Sequence, residues 1–271
     1  MAEDGNVPAV WKKRNICHGS NDDVDRRDFE ASRLYIGEPS VKTLKPQLVE
    51  TTFNATPQSG TVSALFMKPR DAAWVCVLGH GAGAGMRHPF MESMAKKLAA
   101  RKVATFRYQF PYMEHHTKRP DPKPTIVKTI QSAIEAASGL TTLPLFLGGK
   151  SFGGRMSSTA LAEKHVSGIR GVVFLGFPLH PPGTPSTKRA EHLFDVDVPM
   201  LFLQGTRDKL AELELLRPIC KKLGARATLS IVDGADHSFH VPKKSGLSDD
   251  EVLENLATTI ADWGNGILMR S

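Results

Sequence analysis

The stretch Leu145-Phe-Leu-Gly-Gly-Lys-Ser151-Phe-Gly-Gly-Arg155 decides how this chain is read. A short apolar run enters it, glycines flank a serine at the spacing G-x-S-x-G (Gly149, Ser151, Gly153), and a helix-compatible segment leaves it. The pattern predicts a strand that passes through a tight turn into a helix. Side chains at the flanking positions of such a turn would collide, which accounts for the glycines, and the turn lifts the serine hydroxyl above the end of a sheet. Ser151 is therefore the expected nucleophile, with the N-terminus of the following helix pointing at the reacting centre.

Working outward, the text before and after this turn alternates between two periods. Gln47–Asn54 and Thr61–Met67 read as an antiparallel pair joined through Pro57 and Gly60. Short apolar runs at Ala73–Leu78, Val103–Tyr108, Leu145–Leu147, Gly171–Leu175, Met200–Leu203 and Leu229–Val232 read as buried parallel strands. Between them lie helical stripes: Met91, Met94, Ala95, Leu98 and Ala99, then Ile126, Ile130, Ala133, Ile134 and Ala137. Leu213, Leu216, Cys220 and Leu223 continue the pattern, with Pro218 expected to kink or split their helix and Gly224 to end it. In the last helix Ser248 and Glu251 form a capping box, and Val252, Leu256, Ile260 and Trp263 line its buried face. Strand, helix, strand in repetition implies an α/β fold, a mostly parallel sheet covered on both faces, with ligands bound beyond the carboxyl ends of the strands.

That rule selects the remaining site residues. His80-Gly-Ala-Gly-Ala-Gly85 follows directly on a strand, and its small residues let backbone amides approach a substrate. The amides of Ala82 and Phe152 are the expected donors to a developing oxyanion, each worth about 3–4 kcal/mol in the transition state. Asp208 lies just beyond the strand that starts at Met200, and His237 just beyond the strand Leu229–Val232. Serine, acid and histidine in this order predict that His237 relays the Ser151 proton while Asp208 fixes the imidazole tautomer. Asp195 and Asp197 precede their strand and so belong to the opposite edge, whereas Asp233 and Asp236 sit in the same loop as His237. His240 is the runner-up base. His80, Gly83, Lys150 and Tyr112 border the serine and its facing loops and are the expected substrate-binding residues, His80 ordering its loop rather than titrating. The absence of HExxH and of clustered cysteines argues against a metal, and no cofactor is expected.

With these residues in hand, the chain from about Gln47 to Trp263 resembles the α/β-hydrolase superfamily, specifically its small dienelactone-hydrolase-like group without a lid domain. The strings GGKSFGGRM, GFPLHPPG, EHLFDVDVPMLFLQGTRD and GADHSF are similar to those of bacterial hydrolases related to testis-expressed protein 30 and to a subunit of the nonspecific-lethal chromatin complex. The resemblance implies the α/β-hydrolase fold and acyl chemistry through an acyl-enzyme: a serine carboxylesterase, with thioester hydrolysis, acyl transfer or a non-catalytic binding module as alternatives. Dienelactone hydrolases proper use cysteine where Ser151 stands, so lactone opening of that kind is not implied. Only about twenty residues, Pro178, Pro181, Pro182 and Pro185 among them, separate the strand ending near Phe177 from Met200, too few for a lid. An open site and short, water-soluble acyl esters are expected. In the rim loop Phe110–Pro124, Lys118, Arg119 and Lys123 either face water or favour an anionic substrate.

Composition sets the outer bounds. The 271 residues suffice for one core domain, expected at 46–271, preceded by an extension at 1–45 whose eight basic and eight acidic residues show little periodicity. A net charge of +7 spread among many acids does not indicate nucleic-acid binding. Three cysteines, Cys17, Cys76 and Cys220, offer no disulfide framework, and neither a secretory signal nor a membrane span is apparent. A cytoplasmic protein acting on a small acyl substrate is the expectation.

Overall fold

The computed structural model describes residues 45–117, 119–163 and 166–270. The expected extension 1–45, Lys45 apart, lies outside them. An eight-stranded sheet is formed by β1 (Gln47–Thr56), β2 (Gly60–Lys68), β3 (Trp74–Gly79), β4 (Val103–Tyr108), β5 (Leu145–Lys150), β6 (Ile169–Leu175), β7 (Met200–Gly205) and β8 (Ala227–Val232), in the order β1-β2-β4-β3-β5-β6-β7-β8. β1 pairs antiparallel with β2, and β2 with β4; the other neighbours are parallel. This is the α/β-hydrolase fold.

The helices fall on two faces. α1 (Pro89–Ala99) and α6 (Asp249–Leu268) cover one; α3 (Lys123–Leu140), α4 (Phe152–Glu163) and α5 (Leu213–Leu223) cover the other, with a short α2 (Pro111–Glu114) at the rim. Because successive strand side chains point to opposite faces, β3 gives Val75 and Val77 to one core and Trp74, Cys76 and Leu78 to the other. β5 likewise divides Leu147 from Phe146. Each fully buried large apolar side chain contributes about 1.5–3 kcal/mol, so the strand runs that read as continuously apolar do so because both faces are covered.

Two sequence expectations differ from the outcome. β5 continues past its apolar run to Lys150, because the side-chain-free Gly148 and Gly149 still pair with β3 on one side and β6 on the other. α5 is not split at Pro218 but runs through it to a glycine cap, Gly224 at φ +62°. Burial of Leu216, Ile219 and Leu223 against the core outweighs the roughly 3 kcal/mol that an interior proline costs. The segment between β6 and β7 holds a 3-10 stretch at Lys188–Asp195 and no inserted domain.

The capping box at the start of α6 is complete: Ser248 Oγ accepts from the Glu251 amide, and Glu251 Oε2 accepts from the Ser248 amide at 2.8 Å. Loss of such a cap costs about 1 kcal/mol. Ser248→Ala is expected to lower the melting temperature by roughly 2–4 °C in a domain of this size, measured by calorimetry; an unchanged transition would contradict the capping role.

Candidate active site

The site begins with three backbones in close approach. A Cβ on Gly149 would lie 2.5 Å from the Gly79 carbonyl oxygen, and one on Gly153 would lie 2.2 Å from the same atom, so β3, β5 and α4 meet only because these positions lack side chains. At the junction Ser151 adopts φ +50°, the left-handed region that L-residues enter at a cost. Its amide donates to the Leu175 carbonyl at 3.1 Å and its carbonyl accepts from the Arg155 amide at 3.1 Å, which holds the strained residue between β6 and the first turn of α4.

The structure brings Ser151, His237 and Asp208 into one chain of hydrogen bonds. Ser151 Oγ lies 2.7 Å from His237 Nε2, and His237 Nδ1 lies 2.7 Å from Asp208 Oδ2. The buried carboxylate accepts from Nδ1–H, which leaves Nε2 as the acceptor for the serine hydroxyl. Asp208 is 3% exposed, and its oxygens also accept from the Leu210 amide at 2.8 Å and from Gln204 Nε2 at 2.5 Å. His240, by contrast, pairs with Asp249 at 2.8 Å on an exposed surface, and Asp236 caps its own loop by accepting from the Ser238 and His240 amides.

Gln204 was not singled out by sequence reasoning. It is fully buried, and its Oε1 accepts from the Phe177 amide at 3.0 Å while its Nε2 donates to Asp208, clamping the acid between the ends of β6 and β7. The available signal was an amide side chain ending the apolar strand Met200-Leu-Phe-Leu.

The residues expected to touch substrate are placed as follows. His80 is fully buried: Nδ1–H donates to the Gly81 carbonyl at 2.8 Å and Nε2 accepts from the Phe110 amide at 3.1 Å, so neither nitrogen is free for a ligand. Burial lowers its pKa to about 4. Tyr112 is also buried, and its hydroxyl accepts from the Gly83 amide at 3.3 Å, tying the glycine loop to α2. Met86 completes the anchoring through Gln109 and Arg107. Ala82, which is exposed, and Phe152 have backbone amides without a hydrogen-bond partner among the described residues. Lys150 turns behind the histidine loop: its ammonium donates to the His237 carbonyl at 2.5 Å and lies over the rings of Phe239 and Phe90, 5.4 and 5.7 Å from their centroids. Desolvation lowers its pKa to about 8, opposed by the charges of Asp208 and Asp236. In the rim loop Lys123 pairs with Glu163, Arg119 is exposed, and Lys118 lies outside the described residues.

Among the described residues no cluster of three or more His, Cys, Asp or Glu side chains is placed to hold a metal, and no helix is long and apolar enough to cross a membrane.

Comparison with known proteins agrees with this architecture. The family model described as "Alpha/beta hydrolase domain" matches residues 72–265, well over half of the chain, and the chain belongs to that family. A dienelactone hydrolase from Anabaena variabilis superposes with a TM-score of 0.66 at 18% identity, covering 81% of this chain and 97% of that one. An α/β serine hydrolase without lid from Xanthomonas campestris gives 0.62 at 18% identity, covering 81% and 95%. Est1E from Butyrivibrio proteoclasticus gives 0.60 at 14% identity, covering 81% and 99%. The protein is thus an α/β hydrolase.

The buried histidine has a consequence for stability. His80 titrates near 6.5 when unfolded and near 4 when folded, so the unfolded state takes up the proton first. Its neutral burial stabilises the fold fully above pH 6.5, and that contribution is lost as pH falls toward 4. Urea unfolding across this range is expected to show a decline in stability that flattens in His80→Gln; an identical slope in the variant would refute the assignment.

Proposed function

We propose that the protein is a carboxylesterase acting on short, water-soluble acyl esters through Ser151, His237 and Asp208. The observation that carries this reading is the continuous Ser151–His237–Asp208 chain, with both links at 2.7 Å, at the carboxyl edge of the sheet. His237 accepts the Ser151 proton as Oγ attacks the ester carbonyl. Negative charge then develops on the carbonyl oxygen, where the amides of Ala82 and Phe152 receive it, the second of them opening α4 and so adding the positive end of the helix dipole. The imidazolium, stabilised by Asp208, returns the proton to the departing alcohol and leaves an acyl-serine. Water, deprotonated by the same imidazole, attacks that ester and releases the acid.

The scaffold supports rapid access more than enclosure. With no lid domain between β6 and β7, the serine faces a rim of loops, an arrangement suited to soluble esters rather than to aggregated lipid. His80, Tyr112 and Lys150 act in this reading on the backbones of the oxyanion and histidine loops, which they hold in register with the nucleophile.

Turnover of p-nitrophenyl acetate, butyrate and octanoate tests the proposal. The expected result is activity falling with chain length, abolished in Ser151→Ala, with a fluorophosphonate adduct on Ser151 by mass spectrometry. A folded protein with neither turnover nor adduct would overturn it. Gln204→Leu removes a donor from Asp208 and strands the Phe177 amide, so kcat should fall by up to about 100-fold, the scale of a 1 Å misplacement; stopped-flow turnover with kcat unchanged would argue that Gln204 does not position the acid.

A further inference from the structure

The string Gly-Phe-Pro-Leu-His-Pro-Pro-Gly, residues 176–183, marks where the chain leaves the core after β6. Gly176 to His180 are buried, and the two prolines and the glycine that follow are exposed. His180, the last buried residue, has a fully enclosed side chain. An enclosed imidazole costs free energy unless both of its nitrogens are satisfied. Its backbone and its ring both meet the loop that carries the triad acid. The His180 amide donates to the Leu210 carbonyl at 3.0 Å, and the Leu210 amide donates to Asp208 Oδ1 at 2.8 Å. In the ring, Nδ1–H donates to the Pro181 carbonyl at 2.8 Å, and Nε2 faces Glu212 Oε2 within ion-pair distance.

Both Nε2 and Oε2 are buried, and neither has a further hydrogen-bond partner among the described residues. Glu212 stands at the N-cap of α5, but its side chain does not cap that helix. Donor and acceptor identities fix what the pair requires. A carbonyl oxygen only accepts, so Nδ1 carries a proton. An ionised carboxylate also only accepts, so the contact between Nε2 and Oε2 is attractive only with a second proton held between the two atoms, on the ring or on the acid. A bond of this kind is stronger than one between neutral groups, and burial strengthens it further. His180 thus grips the acid loop at two points, Leu210 by its backbone and Glu212 by its ring.

We propose that His180 and Glu212 are positioning residues for the triad: their proton-sharing contact holds the loop 208–212 against the segment after β6 and, through the Leu210 amide, fixes the Asp208 carboxylate toward His237. This rests on the reading of Ser151, His237 and Asp208 as a working triad. Neither residue touches the substrate. Gln204 donates to Asp208 Oδ2, the oxygen that also meets His237 Nδ1, whereas Leu210 donates to Oδ1. The two supports therefore act on different oxygens, and together they set the rotation of the carboxylate.

Two substitutions at Glu212 test this. Glu212→Ala removes the contact, whereas Glu212→Gln keeps one, because its amide donates to Nε2 of a neutral ring. With p-nitrophenyl acetate, kcat should fall about 10- to 100-fold in Glu212→Ala at unchanged KM, the scale of a misplacement approaching 1 Å. Glu212→Gln should recover most of that loss. Hydrogen exchange at the His180 and Leu210 amides, followed by NMR, should quicken about 10-fold in Glu212→Ala, as for a loop that opens locally, and stay near the wild-type rate in Glu212→Gln. Should Glu212→Ala not fold, His180→Phe, a ring of similar size without polar atoms, is expected to show the same fall in kcat and the same faster exchange at Leu210. Unchanged kcat, unchanged exchange, or equal losses in the Ala and Gln variants would remove the positioning role and leave the esterase reading standing. If the wild type turns over no ester, that reading fails by itself and exchange decides: faster rates in Glu212→Ala uphold the hold on the acid loop, and unchanged rates sink it.

Discussion

The contact on which this structure turns is between backbones. β3 and β5 lie side by side, and α4 leaves β5 so steeply that its first turn rests on the end of β3, with Gly149 and Gly153 both within Cβ-clash range of the Gly79 carbonyl. No side chain larger than hydrogen fits there. The approach forces Ser151 into a left-handed conformation, and the parallel pairing to either side keeps it from relaxing. Gly79 also leads directly into the loop carrying Ala82, so the same contact sets the distance between the nucleophile and an amide from a different strand.

Around that contact, polar side chains take over the role that ladder hydrogen bonds play inside the sheet. Beyond the strand ends, backbone amides and carbonyls lose their regular partners, and buried ones must be satisfied some other way. His80 supplies an acceptor to Phe110, Gln204 an acceptor to Phe177, Tyr112 an acceptor to Gly83, and Lys150 a donor to His237. Each ties a loop of the site to a neighbouring strand or helix. Polar residues close to a reacting centre in sequence are therefore as apt to hold its loops as to meet its ligand, and the decisive question is whether their polar atoms remain unpartnered.

Much of this was legible in the sequence because the relevant signals are local. The strand runs are apolar throughout since both sheet faces are covered, the helical stripes repeat every three or four residues, and G-x-S-x-G encodes a steric demand within five residues of chain. The chain order of Ser151, Asp208 and His237, beyond the ends of β5, β7 and β8, was legible for the same reason. The course of α5 through Pro218 was not, because its local penalty is outweighed by burial against strands far away in the chain. Nor were the partners of Lys150 and Gln204, which lie 87 and 27 residues distant.

By itself, then, the sequence determined the fold class, the position of the elbow and the residues that reach the carboxyl edge of the sheet, since hydrophobic period and glycine sterics act over a few residues. Only the tertiary structure decided which of those side chains meet. It closed the Ser151–His237–Asp208 chain and turned Lys150 and His80 onto backbone groups. Hydrogen-bond geometry and charge pairing depend on atoms brought together across strands, and no local pattern specifies them.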